Sequence, residues 1–178
     1  MKILNDRSSV FRYLEIPLSE KANKKISKIV IDSRNVKEDC LFFGLEGKNT
    51  NGSLFAEEAL QNGASLVVSS NKSFAMDSPN HIFHESPIDA MAKIASGIID
   101  DFTGNIIGVT GSSGKTTVKN LIKHTLDDCF GTIGNYNNEI GLPFSVMNLS
   151  QNHKTAVFEL AAGLSLIHIS EPTRPRSI

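Results

Sequence analysis

The stretch "NIIGVTGSSGKTTVKNLIKH", residues 105–124, decides the fold of this chain. Its first residues are apolar and partly β-branched, which predicts a buried strand over residues 105–110. A turn rich in glycine and serine follows, and the pattern after it predicts a helix over residues 118–129. A strand, a glycine-rich turn with Lys-Thr and a helix, in that order, are typical of a phosphate-binding loop. The stretch therefore predicts an α/β fold that holds a phosphate.

The residue types in this turn match the chemistry of phosphate binding. Gly111 and Gly114 let the backbone close around an anion, because a side chain there would hold it off. Backbone N–H groups and the start of the helix then face the anion. Lys115 is placed to reach the terminal phosphates, and the hydroxyl of Thr116 to bind Mg²⁺. The general pattern G-x-x-x-x-G-K-[ST] has glycine where this chain has Val109, so a plain turn between strand and helix is the alternative.

A carboxylate that could complete a metal site lies further along the chain. "TAVFEL", residues 155–160, predicts another strand, and Glu159 stands at its end. An α/β sheet binds ligands at the carboxyl ends of its strands, and a carboxylate there often completes Mg²⁺ binding beside a phosphate loop. The alternative is a charged residue at a strand edge.

The rest of the chain alternates strand and helix patterns, which favours α/β architecture. Strands are predicted over residues 28–32, 40–45 and 64–70, and a helix over residues 86–102. A further helix is predicted over residues 52–63, with Ser53 as its cap and Gly63 at its end. Its predicted apolar face consists of Leu54, Phe55, Ala59 and Leu60. We predict a small N-terminal α/β domain over residues 1–102 and the start of a central α/β domain over residues 103–163.

Composition excludes several classes of partner. The formal net charge is −1 and the pI is about 6.5, so there is no basic footprint for nucleic acid or an anionic membrane. No apolar run reaches the roughly 18 residues that a membrane span needs. The two cysteines, Cys40 and Cys129, form no CxxC pair, which suits a reducing compartment. The expected location is the cytoplasm.

The last residues, "LSLIHISEPTRPRSI" (164–178), receive a separate interpretation. Residues 164–174 are the translation of a string that resembles a transposon-type adapter used in sequencing libraries. Such a scar is excluded from fold reasoning. The expectation is a natural sequence that reaches residue 163 in mid-domain, and no functional role is given to the segment after it.

Four blocks of the chain resemble the Mur ligases, ATP-dependent amide-forming enzymes of peptidoglycan synthesis. "VTGSSGKTTVKNLI" resembles their phosphate loop, and "AVFELAAG" resembles the strand that bears their metal-binding glutamate. "GNYNNEIGLP", residues 134–143, resembles the segment typical of the member that adds D-alanyl-D-alanine. Upstream, residues 31–68 are similar to the domain that holds the UDP end of the substrate.

The resemblance implies a role for particular residues of the second half. ATP would be bound by the residues of the glycine-rich loop, which are Gly111, Ser112, Ser113, Gly114, Lys115, Thr116 and Thr117. Mg²⁺ would be held by Thr116 and Glu159. The segment near the γ-phosphate and the substrate carboxylate would be Asn137, Asn138 and Glu139. Catalysis is assigned to Lys115, Asn138 and Glu159.

In the first half, the resemblance implies contacts with the UDP-linked substrate. The predicted contacts are Asp32, Ser33, Arg34, Gly47 and Asn49. For the first three, a simple turn after a strand is the alternative, since Asp and Ser favour turns. Near the other two, the family often carries Asp or His, whereas this chain reads "GKNTNGSLF".

The implied reaction joins UDP-N-acetylmuramoyl-tripeptide to D-alanyl-D-alanine through an acyl phosphate made with ATP. The family's longer central domain and its C-terminal domain have no counterpart in this sequence. The chain is therefore expected to be an incomplete, inactive fragment of a ligase that is monomeric at full length. Two alternatives stay open: a sister ligase that adds a diamino acid, and a non-catalytic module that binds a nucleotide or UDP-sugar.

Overall fold

The computed structural model describes residues 2–17, 24–47, 50–75, 78–132, 134 and 136–161. The chain divides into two compact units, one of residues 4–91 and the other of residues 1–3 and 92–178. The division falls within the helix α4, Pro87–Asp101. The domain limits 1–102, 103–163 and 164–178 remain predictions, and residues 162–178 lie outside the described part of the chain.

A parallel four-stranded sheet organises the first unit. Its strands follow one another in space in the order β1-β2-β3-β4, as Lys28–Val30, Cys40–Gly44, Leu66–Ser69 and His81–Phe83. Parallel neighbours need crossover connections, and the helices α2 (Ala56–Gln61) and α3 (Lys72–Ala75) lie in the connections from β2 to β3 and from β3 to β4. The helix α1, Arg7–Leu14, precedes β1. The three strands predicted in this region and the α/β class are confirmed, each strand being shorter than predicted.

Phe42 in β2 belongs to a buried cluster. Its side chain is 1% exposed, and the cluster includes Val30 from β1 and Val67 from β3. From the helix side, Ala56 and Ala59 of α2 complete it. Small alanines on α2 allow the helix to approach the large aromatic side chain, so this cluster joins sheet and helix.

The predicted helix over residues 52–63 is only half right. Residues Gly52–Phe55 form a 3₁₀ turn capped by Asn51, whose side chain accepts from the N–H of Ser53. Ser53 is no cap, because its hydroxyl is buried and donates to the carbonyl of Gly44 at 2.9 Å. The helix α2 starts after this turn, and the change of period leaves Leu54 73% exposed instead of on the apolar face.

The second unit contains a parallel three-stranded sheet in the order β5-β7-β6. Its elements are β5 (Asn105–Val109), α5 (Lys115–Thr125), β6 (Cys129–Gly131), α6 (Gly141–Val146) and β7 (Thr155–Glu159). The central strand β7 is buried throughout. In its register with β5, Gly108 pairs with Phe158 and Val109 with Glu159. The carboxyl ends of β5 and β7 therefore meet at one edge of the sheet.

Two expectations for this unit need correction. The strand β5 is not fully buried, because among the described strands it has β7 on one side only; Ile106 and Ile107 are half-buried and Val109 alone is buried. The helix predicted over residues 118–129 begins earlier, at Lys115, and ends at Thr125. Among the described residues, no helix combines the length and the apolar character that a membrane crossing requires.

Candidate functional site

The glycine-rich turn forms an open loop between β5 and α5. Gly114 has φ 77° and precedes the first residue of α5, and Gly111 has φ 150°. L side chains rarely adopt such angles, which is the local reason for both glycines. Lys115 folds back over the loop, and its Nζ donates to the carbonyl oxygen of Gly111 at 2.6 Å. Ser112, Ser113 and Thr117 are exposed on and beside the loop.

The start of α5 gives this loop an anion-binding character. The first N–H groups of any α-helix have no acceptor within the helix, and the helix dipole is positive at that end. Lys115 adds a full positive charge at the first position of α5. Together these features would hold a phosphate group, as the sequence predicts.

A carboxylate, a hydroxyl and an amide meet beside the loop. The hydroxyl of Thr116 donates to Oε2 of Glu159 at 2.9 Å, and the amide of Asn137 donates to Oε1 at 3.1 Å. Glu159 is 4% exposed. The structure thus brings three of the predicted site residues, from α5, β7 and the segment before α6, into one hydrogen-bonded group.

The register of the sheet explains why Glu159 reaches this group. It pairs with Val109, the last residue of β5 before the glycine-rich loop. The next backbone bond, from the N–H of Leu160 to the carbonyl of Val109 at 2.9 Å, extends the pairing past the strand end. On the other side of β7, the hydroxyl of Thr132 accepts from the N–H of Glu159 at 2.8 Å. Hydrogen bonds on both sides of β7 therefore fix the position of the Glu159 backbone at the carboxyl edge of the sheet.

Sequence reasoning missed two residues of this site, Lys119 and Thr132. Lys119 is 4% exposed, and its Nζ lies 3.6 Å from Oε2 of Glu159. The signal that could have found it is helical spacing, since residues three apart share a face and Lys119 follows Thr116 by three positions. Thr132 had no such signal, because its role depends on the pairing of β6 with β7.

The two neighbouring asparagines of the segment "GNYNNEIGLP" have different hydrogen-bond partners. Asn137 turns to Glu159, and its carbonyl accepts from the N–H of Ala161 at 3.2 Å. Asn138 instead serves the start of α6, because its Oδ1 accepts from the N–H of Gly141 at 2.7 Å. Glu139 is exposed. The catalytic role assigned to Asn138 and the substrate role assigned to Glu139 remain predictions.

Gly141 is required by a close approach of two chain segments. A Cβ at this position would lie 2.6 Å from the Cα of Tyr136. We expect Gly141→Ala to lower the free energy of unfolding by about 1–3 kcal/mol, because backbone would have to shift. Urea denaturation followed by circular dichroism measures this change.

The control for that variant is Gly131→Ala in β6. There a Cβ would meet the Cδ of Lys123 at 3.0 Å, which is a flexible side chain that can move aside. We expect this variant to lose less than about 1 kcal/mol. Equal losses for the two variants would show that the Tyr136 contact does not set the cost.

In the first unit, the predicted substrate residues follow the strand β1. Asp32 caps a 3₁₀ turn, Ser33–Asn35, and accepts from the N–H of Arg34 at 3.1 Å. The guanidinium of Arg34 donates to both oxygens of the same carboxylate, at 2.9 and 2.6 Å. These hydrogen bonds lower the pKa of Asp32. A turn therefore follows β1, as one of the two interpretations of these residues expected. The side chain of Arg34 is 85% exposed.

A second loop follows β2 at the same edge of the sheet. Gly47 donates its N–H to the carbonyl of Thr50 at 2.9 Å, and the backbone of Glu46 forms an isolated antiparallel β-bridge with Asn51. Ser70, just after β3, donates to Oε1 of Glu46 at 3.0 Å. Asn49 lies outside the described residues. The loop is thus tied to the carboxyl end of a neighbouring strand, where parallel sheets bind ligands.

The donor set beside the phosphate loop fits Mg²⁺. This ion prefers oxygen ligands, keeps several waters, and commonly takes one or two protein ligands plus substrate phosphates. The hydroxyl oxygen of Thr116 and Oε2 of Glu159 are such a pair. Among the described residues, no group of three or more His, Cys, Asp or Glu could hold a metal.

Comparison with known families shows which family the chain belongs to. The family model "Mur ligase family, catalytic domain" matches residues 25–98, and "Mur ligase middle domain" matches residues 109–172. The chain belongs to the Mur ligase family. The second match extends into residues 164–172, which lie outside the described part of the chain.

Two individual relatives are similar to most of this chain. The chain is 37% identical over 140 residues to the UDP-N-acetylmuramoyl-tripeptide--D-alanyl-D-alanine ligase of Buchnera aphidicola subsp. Baizongia pistaciae, with 77% of this chain and 30% of that protein covered. It is 35% identical over 129 residues to the UDP-N-acetylmuramoyl-L-alanyl-D-glutamate--2,6-diaminopimelate ligase of Caldanaerobacter subterraneus subsp. tengcongensis, covering 71% of this chain and 25% of that protein.

A solved ligase structure is also similar to this chain. The crystal structure of MurF ligase from Thermotoga maritima in complex with ADP is similar with a TM-score of 0.71 and 35% identity. The similarity covers 83% of this chain and 35% of that one. The chain thus spans about a third of the length of the relatives it matches.

Proposed function

We propose that this chain is the amino-terminal part of an ATP-dependent ligase that joins D-alanyl-D-alanine to UDP-N-acetylmuramoyl-tripeptide. The observation that carries the proposal is the contact of Thr116 with Glu159 beside the Lys115 loop, in a chain similar to ligases of that name. This contact supports the proposal, because a nucleotide phosphate and a cation would share these two side chains. The enzyme would work in the cytoplasm as a monomer, without membrane insertion.

The reaction needs two anions to meet, the terminal carboxylate of the tripeptide and the γ-phosphate of ATP. A carboxylate oxygen attacks the γ-phosphorus and ADP leaves, which gives an acyl phosphate. The amine of D-alanyl-D-alanine then attacks the acyl carbon, and phosphate leaves as the amide forms. Lys115 and the N–H groups of the loop would offset the repulsion between the anions, because donors that are fixed before the reaction stabilise charge as it develops. Mg²⁺ held by Thr116 and Glu159 would add further charge neutralisation.

The first unit would hold the UDP end of the substrate at the carboxyl edge of its sheet. Asp32, Ser33, Arg34, Gly47 and Asn49 are the proposed contacts. The exposed guanidinium of Arg34 suits a diphosphate, since it presents several N–H donors in one plane. Glu46 and Ser70 would fix the loop that carries Gly47.

The experiment that tests this proposal measures three quantities on the purified chain. Titration calorimetry measures binding of MgADP, and separately of UDP-N-acetylmuramoyl-tripeptide and of the dipeptide analogue that lacks the third residue. Mass spectrometry follows amide formation with ATP and D-alanyl-D-alanine. We expect the nucleotide and the tripeptide substrate to bind, and no amide to form.

Each other outcome has a distinct meaning. Preference for the dipeptide substrate would favour the ligase that adds a diamino acid. Amide formation by the chain alone would contradict the expectation that it is an inactive fragment. Binding of UDP alone as tightly as the whole substrate would favour a non-catalytic UDP-sugar module. Absence of MgADP binding would overturn the proposed ATP site.

A further inference from the structure

Lys119 is a buried cation that the reaction above does not use. It lies on α5 and is 4% exposed. Its Nζ donates to the carbonyl oxygens of Gly134 and Thr132, at 3.2 and 3.4 Å, and lies 3.6 Å from Oε2 of Glu159. Two of its three N–H donors are therefore used by backbone carbonyls, and the contact with Glu159 is an ion pair. The residue thus connects α5 with the end of β7 and with the segment after β6.

The charge of Glu159 is already compensated without a metal ion. Oε2 receives the hydroxyl of Thr116 and lies beside the ammonium of Lys119, and Oε1 receives the amide of Asn137. The side chains of the ion pair are each 5% exposed, so water screens the pair poorly. A buried carboxylate needs such partners, and these supply them.

A divalent cation at Oε2 would meet the positive charge of Lys119 at close range. Its approach costs repulsion, and it must also take over the lone pairs that now accept from Thr116. A bound nucleotide changes this balance, because its phosphates carry negative charge and offer oxygen ligands beside the same hydroxyl. The carboxylate is therefore a poor metal ligand by itself and a good one beside phosphate.

We propose that Lys119 is a positioning residue that makes the metal site conditional on nucleotide. The ammonium holds the Glu159 carboxylate in place and cancels its charge, so that a divalent cation enters together with the phosphates and not before them. This inference rests on the proposed ATP site. It assigns to Lys119 a function that Lys115 does not have, since the ammonium of Lys115 lies over the glycine-rich loop, on the carbonyl of Gly111, and not beside Glu159.

The test measures Mn²⁺ retained by the protein in ultrafiltration, with and without ADP. The variants are Lys119→Met, which removes the charge; Lys119→Arg, which keeps it; and Lys123→Met, an exposed lysine on the same helix. We expect the unchanged chain to retain Mn²⁺ at least tenfold more tightly with ADP. Lys119→Met should retain Mn²⁺ without ADP at least tenfold more tightly than the unchanged chain. The Arg and Lys123 variants should behave like the unchanged chain.

A merely structural role for Lys119 predicts the opposite sign, since damage to the site weakens metal binding. Equal retention by Lys119→Met and the unchanged chain without ADP would overturn the proposal. If Lys119→Met does not fold, the unchanged chain decides alone, because equal Mn²⁺ retention with and without ADP overturns the proposal. Labelled ADP in the same filtrations separates the two hypotheses: loss of ADP binding removes the ATP site as well, whereas retained ADP leaves that site standing.

Discussion

Replacing Lys115 by methionine is expected to weaken MgADP binding about a hundredfold. A hydrogen bond to a charged group contributes about 1.5–3 kcal/mol, and about 2.7 kcal/mol corresponds to that factor. The ammonium of Lys115 folds back over the glycine-rich loop and donates to the carbonyl of Gly111. Methionine keeps the length of the side chain and removes the charge. Titration calorimetry with MgADP measures the change.

The matched control for this variant is Lys123→Met, two turns further along α5 and exposed. It removes the same charge from the same helix at a distance from the loop. We expect its affinity for MgADP to stay within about twofold, because an exposed charge away from the ligand is screened by salt. Equal losses in the two variants would mean that the helix carries only a general positive field and that Lys115 contacts no phosphate.

The second large effect concerns stability. Phe42→Ala is expected to lower the free energy of unfolding of the first unit by about 3–5 kcal/mol, through lost burial and the cavity that remains. The side chain is 1% exposed and packs with Val30, Val67, Ala56 and Ala59. Small domains are stable by only about 5–15 kcal/mol, so this loss would unfold a large share of the molecules at moderate urea.

Cys40 offers a readout that is specific to this unit. It is fully buried in the same cluster, and burial raises the pKa of its thiol, so it reacts with a thiol reagent only when the unit opens. Labelling is followed against urea in a Cys129→Ser background, which removes the thiol of the other unit. Leu54→Ala is the control, because a side chain that is 73% exposed should change stability by less than about 0.5 kcal/mol. A loss below about 1 kcal/mol for Phe42→Ala would contradict the described cluster.

Local pattern predicted the strands and the phosphate loop, because both depend on short stretches. Apolar runs gave strands close to β2, β3 and β7, and the glycines marked the loop where φ is positive. The contact of Thr116 with Glu159 could also be predicted, since Thr116 follows β5, Glu159 ends β7, and the carboxyl ends of these two strands meet at one edge. These features depend on the residue types within short stretches of the sequence.

The features that sequence did not predict depend on partners distant in the chain. Ser53 had the composition of a helix cap, but the end of β2 and the N–H of Ser70 bind its hydroxyl instead. The burial of β5 was overestimated, because periodicity reveals an apolar strand and not how many neighbours it has. Lys119 was not singled out from the sequence, because its burial depends on Glu159 and on the backbone after β6. In each case a long-range contact overrides the local preference.

The pairing of Val109 with Glu159 also limits how this sequence can change over evolution. Side chains of a strand alternate between two faces, so loss of one residue within β7 would move the carboxylate opposite Gly108 and turn it away from Thr116. Substitutions along β7 alter packing by degrees, whereas a single insertion or deletion removes the carboxylate from the site at once. In relatives that keep this site, we therefore expect variation in the composition of the two strands and in the length of the connections outside them, but a constant number of residues between Thr155 and Glu159.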